Sequence, residues 1–188
     1  MTETITKAMK RPGAVPAFLA ALGVFVTLLV SSFVQALLST LWAASAASAP
    51  ANYFGQVWSE HLQDSLSGRL PFTVGVFLCF WQVAPIAPVL RLAHVVTRSV
   101  LAALLGGGAM WLVLMAFQLV VDNVMTPFST PALAVLGELG PDALQSLFHA
   151  LAAIVAWLPV VALSGILLWG WLQRHPLDKP VHGALDEV

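Results

Sequence analysis

Between Pro16 and Trp42 the chain carries no charged residue: PAFLAALGVFVTLLVSSFVQALLSTLW. A bilayer core takes about 20 apolar helical residues, so this run is long enough to cross one with some tilt. Within it Gly23, Thr27, Ser31, Gln35 and Ser39 recur every four residues, forming one small, weakly polar stripe on a helix otherwise made of Leu, Val, Phe and Ala. Small residues at this spacing let helices approach closely in lipid. The first span is therefore expected to be the post against which the others pack.

The rest of the chain has the same character. Of its 188 residues 59% are hydrophobic and 9% are charged, against about 25% charged in soluble domains, too few to coat a water-facing globule. The expected fold is all-α: an integral membrane four-helix bundle with one or two short interfacial helices on the outer side. The spans are placed at 16–42, 71–90, 99–121 and 142–173 of a membrane domain covering 16–173. Residues 1–15 read as a basic cytoplasmic tail, 43–70 and 122–141 as outer segments, 91–98 as an inner connector and 174–188 as a cytoplasmic tail. The basic end at Lys7, Lys10 and Arg11, the apolar run and the Ala/Ser stretch at 43–49 imitate a secretory signal peptide. A signal core is only about 7–15 residues long, so an uncleaved span is expected instead.

Local punctuation sets the finer expectations. The stretch Asn52–Gly68 has helical period, with Phe54, Val57, Trp58, His61, Leu62 and Ser65 on one side and Gln56, Ser59, Glu60, Gln63 and Asp64 on the other. Asn52 is its expected N-cap and Gly68 its stop, giving a helix that lies flat at the interface. A second short helix is expected at Pro131–Leu139, capped by Thr130. Pro85 and Pro88 should end or kink the second span and leave carbonyls near Trp81 and Ala84 in need of partners. Pro141 suits the first turn of the fourth span, and Pro159 should kink it.

Orientation follows from the basic residues. Lys7, Lys10, Arg11, Arg91, Arg98, Arg174 and Lys179, seven of the 8 Lys and Arg, fall on one side of the expected topology, and only Arg69 on the other. The positive-inside rule puts N and C termini in the cytoplasm, and the richness in Ala, Leu and Val suits a bacterial inner membrane. The formal net charge of -1 gives no reason to expect nucleic acid as a partner.

For chemistry, no Asp, Glu, Lys or Arg falls near the middle of any expected span, which argues against an ion-coupled carrier. Gln35, Ser39, Gln118, Asp122, Gln145 and His149 all fall toward the outer face, either as a closed hydrogen-bonding network between helices or as a pocket open to the outside. Glu60-His61-x-x-Asp64 has acidic and imidazole ligands on one turn. It lacks a paired-histidine motif, and the one cysteine, Cys79, lies in an apolar run, so no metal is expected. His149 is outer and His94 inner, which leaves no bis-histidine haem site. Ser164 is about 22 Å along its helix from His149, too far for a nucleophile and its base. No catalytic residue and no cofactor are expected.

What remains is packing surface: the stripe at Gly23, Thr27 and Ser31, the pair Gly75 and Cys79, and the run Gly106, Gly107, Gly108. The expectation is a small non-catalytic membrane protein, an accessory subunit or assembly factor packing on a larger membrane complex or on copies of itself. The alternative is a small oligomeric carrier or binding protein for an apolar or neutral solute. A lipid-modifying enzyme using His149 and Asp122 comes third.

Overall fold

The computed structural model describes residues 13–45, 53–125 and 132–175, with side chains at 13–43, 55, 57–118 and 143–175. The helices are α1 (Ala14–Ser45), α2 (Tyr53–Asp64), α3 (Leu70–Leu78), α4 (Leu92–Met125) and α5 (Ala132–Arg174). No strand occurs among the described residues. Four helical stretches are long and apolar enough to cross a membrane: Ala14–Ala43, Val57–Val83, Leu92–Gln118 and Ala143–Arg174. Their outward surfaces are apolar as well. Leu22, Val30, Leu70, Leu104, Leu112, Leu151 and Leu163 are all exposed, a distribution suited to lipid rather than water. The expected caps Asn52 and Thr130, and the basic residues Lys7, Lys10, Arg11 and Lys179, lie outside the described residues. So do the side chains of Phe54, Gln56, Asp122 and Glu138.

The second and fourth spans differ from expectation. Gly68 does not stop a helix. α2 and α3 are joined by a π-helical turn at Ser65–Arg69, and a second π turn, Cys79–Val83, follows α3, so the chain is helical from 53 to 83. Both π turns precede a proline by two residues, and the residue before each proline makes the wide i→i−5 bond: Leu70 N–H to the Ser65 carbonyl, and Ala84 N–H to the Cys79 carbonyl. A proline ring crowds the preceding turn, and a wider turn accommodates it. After Pro71 the helix resumes. Before Pro85 it ends, with Ala84 at φ −139°, ψ 67°, so the rod stops at Val83 and not Leu90. The carbonyls that gain side-chain donors here are those of Pro85 and Leu90, which accept from the Arg98 guanidinium and, at 3.0 Å, from Trp169 Nε1. At the other end of the chain α5 runs unbroken through both Pro141 and Pro159, and the expected short helix at Pro131–Leu139 is, over its described part 132–139, the start of α5.

Neighbouring rods run antiparallel. Phe18 meets Phe77 and Phe33 meets Trp58 between α1 and the 53–83 rod, and Ser164 Oγ on α5 donates to the Ala20 carbonyl of α1 at 2.9 Å. The buried core is Val24, Phe72, Val76, Phe80, Met110, Val161 and Leu172, with Phe72 edge-on to Trp157 at 4.8 Å. One close approach is backbone on backbone: a Cβ on Gly75 would lie 2.7 Å from Gly106 Cα, and one on Gly106 would lie 2.8 Å from the Phe72 carbonyl oxygen. Gly107 is filled from the other side by Ile154, whereas Gly108 faces open space. The glycine run thus spends two of its members inside the fold.

This asymmetry is testable. Gly75→Ala and Gly106→Ala should each lower unfolding stability in detergent by about 1–3 kcal/mol through overpacking, while Gly108→Ala should leave it unchanged or slightly raised. Equal effects at all three positions would contradict the backbone contact.

Candidate functional site

A polar concavity on the described surface lies between α1 and the turn joining α2 to α3. It is an open groove of about 510 Å³. α1 contributes Ser32, Gln35 and Ser39, and the facing rod contributes Glu60, His61, Asp64 and Arg69. The α1 hydroxyls are turned onto their own helix: Ser32 Oγ donates to the Leu29 carbonyl at 3.0 Å and Ser39 Oγ to that of Ala36 at 2.8 Å. Their lone pairs and the Gln35 amide remain for the groove.

Arg69 is the unexpected member. Its side chain is 9% exposed, and its Nη2 pairs with Asp64 Oδ2 at 2.5 Å, the carboxylate being 48% exposed. Nη1 donates to Ser65 Oγ at 2.8 Å, and Ser65 Oγ donates in turn to the His61 carbonyl at 2.7 Å. The π turn makes this possible. At about 100° per residue, positions five apart on an α-helix point to different sides. The i→i+5 bonding of a π turn sets them nearly one above the other, so Asp64 and Arg69 meet. Gly68 sits beneath the pair, where a Cβ would lie 3.3 Å from Asp64 Oδ1 and 3.4 Å from Met110 Cε. The sequence reading places Arg69 in the outer segment 43–70, before the second span. It lies instead well inside the apolar stretch Val57–Val83, with its guanidinium reaching back toward the α2 end, the direction in which helix side chains lean.

An aromatic corner closes one side of the groove. The His61 ring packs on Trp58 at 6.0 Å and on Phe33 at 6.2 Å, and Phe33 meets Trp58 edge-on at 5.8 Å. Among the described residues no group of three His, Cys, Asp or Glu side chains is arranged to hold a metal ion.

The residues expected as one outer polar cluster are found in separate places. Gln35 and Ser39 line the groove. Gln118 Oε1 accepts from Ser146 Oγ at 3.0 Å between α4 and α5. Gln145 and His149 are exposed on α5, and the Asp122 side chain lies outside the described residues. On the packing faces, Gly23, Thr27, Ser31, Gln35 and Ser39 are all exposed, whereas Gly75, Cys79, Gly106 and Gly107 are buried. A second, more apolar groove of about 630 Å³ runs between α1 and α5 at the Arg174 end, and Gly23 and Ser164 line it. Sequence reasoning missed Ser32, Ser65 and Arg69. The available signal was Arg69 itself, the one basic residue that the topology left on the wrong side, two positions before a proline.

Replacing Asp64 by Asn would leave a buried guanidinium uncompensated. Asp64→Asn should cost about 1–3 kcal/mol of unfolding stability, with partial exposure of the carboxylate limiting the loss. The Asp64→Asn/Arg69→Gln double variant should lose clearly less than the two single losses added together. Simple additivity in detergent unfolding would show that the pair is not coupled.

Comparison with protein-family models, with curated proteins and with solved structures finds no match for this chain.

Proposed function

We propose that the protein is a small non-catalytic subunit of a membrane assembly, packing through α1 against another integral membrane protein. The observation that carries this reading is the uncovered stripe: Gly23, Thr27, Ser31, Gln35 and Ser39 are all exposed along α1, and a Cβ on Gly23 would meet nothing within 4 Å. Thr27 Oγ1 and Ser31 Oγ bond the carbonyls of Gly23 and Leu28 at 2.8 and 3.0 Å. The stripe is therefore flat and internally satisfied, the kind of surface on which a second helix packs in lipid. Its members line the two grooves that border α1, Gly23 the more apolar one and Gln35 and Ser39 the polar one.

On this reading the four apolar helices form a four-helix bundle crossing a bacterial inner membrane. Both termini are cytoplasmic, in keeping with Arg91, Arg98 and Arg174 at one end, and the Tyr53–Asp64 helix is at the opposite boundary. The carrier alternative asks Gln35, Gln82, Gln118 and His149 to share one cavity. Gln35 lies in the α1 groove, Gln118 bonds Ser146 and His149 is exposed. Gln82 falls in the π turn at the far end of the 53–83 rod, about 20 Å along the helix from Arg69. No observation favours it. Nor does one favour the lipid-enzyme reading built on His149.

Bulky substitutions on the stripe test the proposal. Gly23→Leu and Ser31→Leu should reduce co-purification of a membrane partner from the native host by about tenfold, with unfolding of the isolated chain unchanged. Val155→Phe, on an exposed face of α5, should have no effect. Co-purification that ignores the stripe variants would overturn the reading.

A further inference from the structure

The polar groove has a charge order along the membrane normal that matches one kind of ligand. Counted in helical residues, a bilayer core of about 30 Å beginning at Pro16 ends near Ala36, and one beginning at Val83 ends near Gln63. The Glu60–Asp64 turn and Gln35 therefore sit at headgroup depth, and the Arg69 guanidinium reaches up to them from just inside. Below it, toward the other end of the rod, the exposed positions Leu70, Val74 and Leu78 are all apolar. Passing inward, the groove offers a free carboxylate, then a guanidinium, then hydrocarbon.

Arginine has five N–H donors. In Arg69 one Nη donates to Ser65 Oγ and the other pairs with Asp64 Oδ2, and the residue lines an open groove of about 510 Å³. An oxyanion seated there would accept from the edge of the guanidinium that borders the groove. A purely anionic ligand is disfavoured, because Glu60 and Asp64 outnumber Arg69 in the lining. The group that fits carries a phosphate and, a few ångströms outward, a cation able to donate hydrogen bonds to carboxylates.

We propose that this groove binds the phosphoethanolamine headgroup of a membrane lipid, with the phosphate on Arg69 and Gln35 and the primary ammonium between Glu60 and Asp64. Phosphatidylcholine offers the same phosphate but no N–H on its cation, and phosphatidylglycerol has no cation, so the site discriminates by donor chemistry. The acyl chains follow the apolar surface of Leu70, Val74 and Leu78.

The test is lipid retention by the purified full chain in detergent, read by native mass spectrometry. Phosphatidylethanolamine, phosphatidylcholine and phosphatidylglycerol with the same acyl chains are offered in turn. Phosphatidylethanolamine should be retained about tenfold more than either competitor. Glu60→Gln and Gln35→Leu, both at exposed positions that leave the fold intact, should bring it down to the phosphatidylcholine level. Arg69→Gln should do the same where thermal unfolding shows that it still folds. Equal retention of the three lipids, or a preference unmoved by Glu60→Gln and Gln35→Leu, would overturn the proposal. Displacement by soluble glycerophosphoethanolamine would reassign the groove from a lipid to a free metabolite, and resistance to it supports the lipid. The measurement uses the isolated chain, so its outcome is independent of whether a protein partner binds the α1 stripe.

Discussion

An unbonded backbone N–H or C=O in hydrocarbon costs several kcal/mol, and that constraint organises this molecule. It keeps Gly106, Gly107 and Gly108 helical where water would loosen them. It carries α5 through Pro141 and Pro159 without a break in the helix. Where the backbone does leave the helix, at 84–91, side chains from neighbouring helices supply donors: Arg98 to the Pro85 carbonyl and Trp169 to that of Leu90. The hydroxyls of Thr27, Ser31, Ser32, Ser39 and Thr40 follow the same rule by bonding carbonyls of their own helix.

The same rule explains why a charge is tolerated inside the second apolar stretch. Arg69 is held by Asp64 and Ser65 on one widened turn, and its length lets the charge sit higher than its Cα. The widened turn is set by Pro71. A proline that might have ended the helix instead brings residues 64 and 69 into register and so builds the polar groove. The glycine contact at Gly75 and Gly106 lies two turns further along the same rod and locks it to α4. One short segment, 64–75, thus carries both a backbone-on-backbone contact with α4 and a buried guanidinium held by a half-exposed carboxylate.

Much of this is legible in the amino-acid sequence. The uncharged run at Pro16–Trp42 and the scarcity of charge lead to four long apolar helices, whereas the face of Gly23, Thr27 and Ser31, expected to be the post on which the other spans pack, is left exposed by them. The errors have one physical origin. Rules that hold in water, in which glycine and proline end helices, split one continuous rod at Gly68 and Pro71 into a surface helix and a span. Arg69 then fell outside the membrane segment. α-Helical spacing alone would set Asp64 and Arg69 on different faces, and a π turn leaves no periodic signature in five residues. The dispersal of Gln35, Gln118 and His149 was likewise hidden, because equal depth in a membrane does not mean equal azimuth around a helix.

An exposed, flat, small-residue face on α1 is the basis for the proposed role as a subunit. The most direct measurement is the intact mass of the particle released from its native membrane by a mild detergent. The account predicts a stoichiometric complex of this chain with a second integral membrane protein. A single chain carrying only lipid, recovered under conditions that preserve other membrane complexes from the same extract, would contradict it.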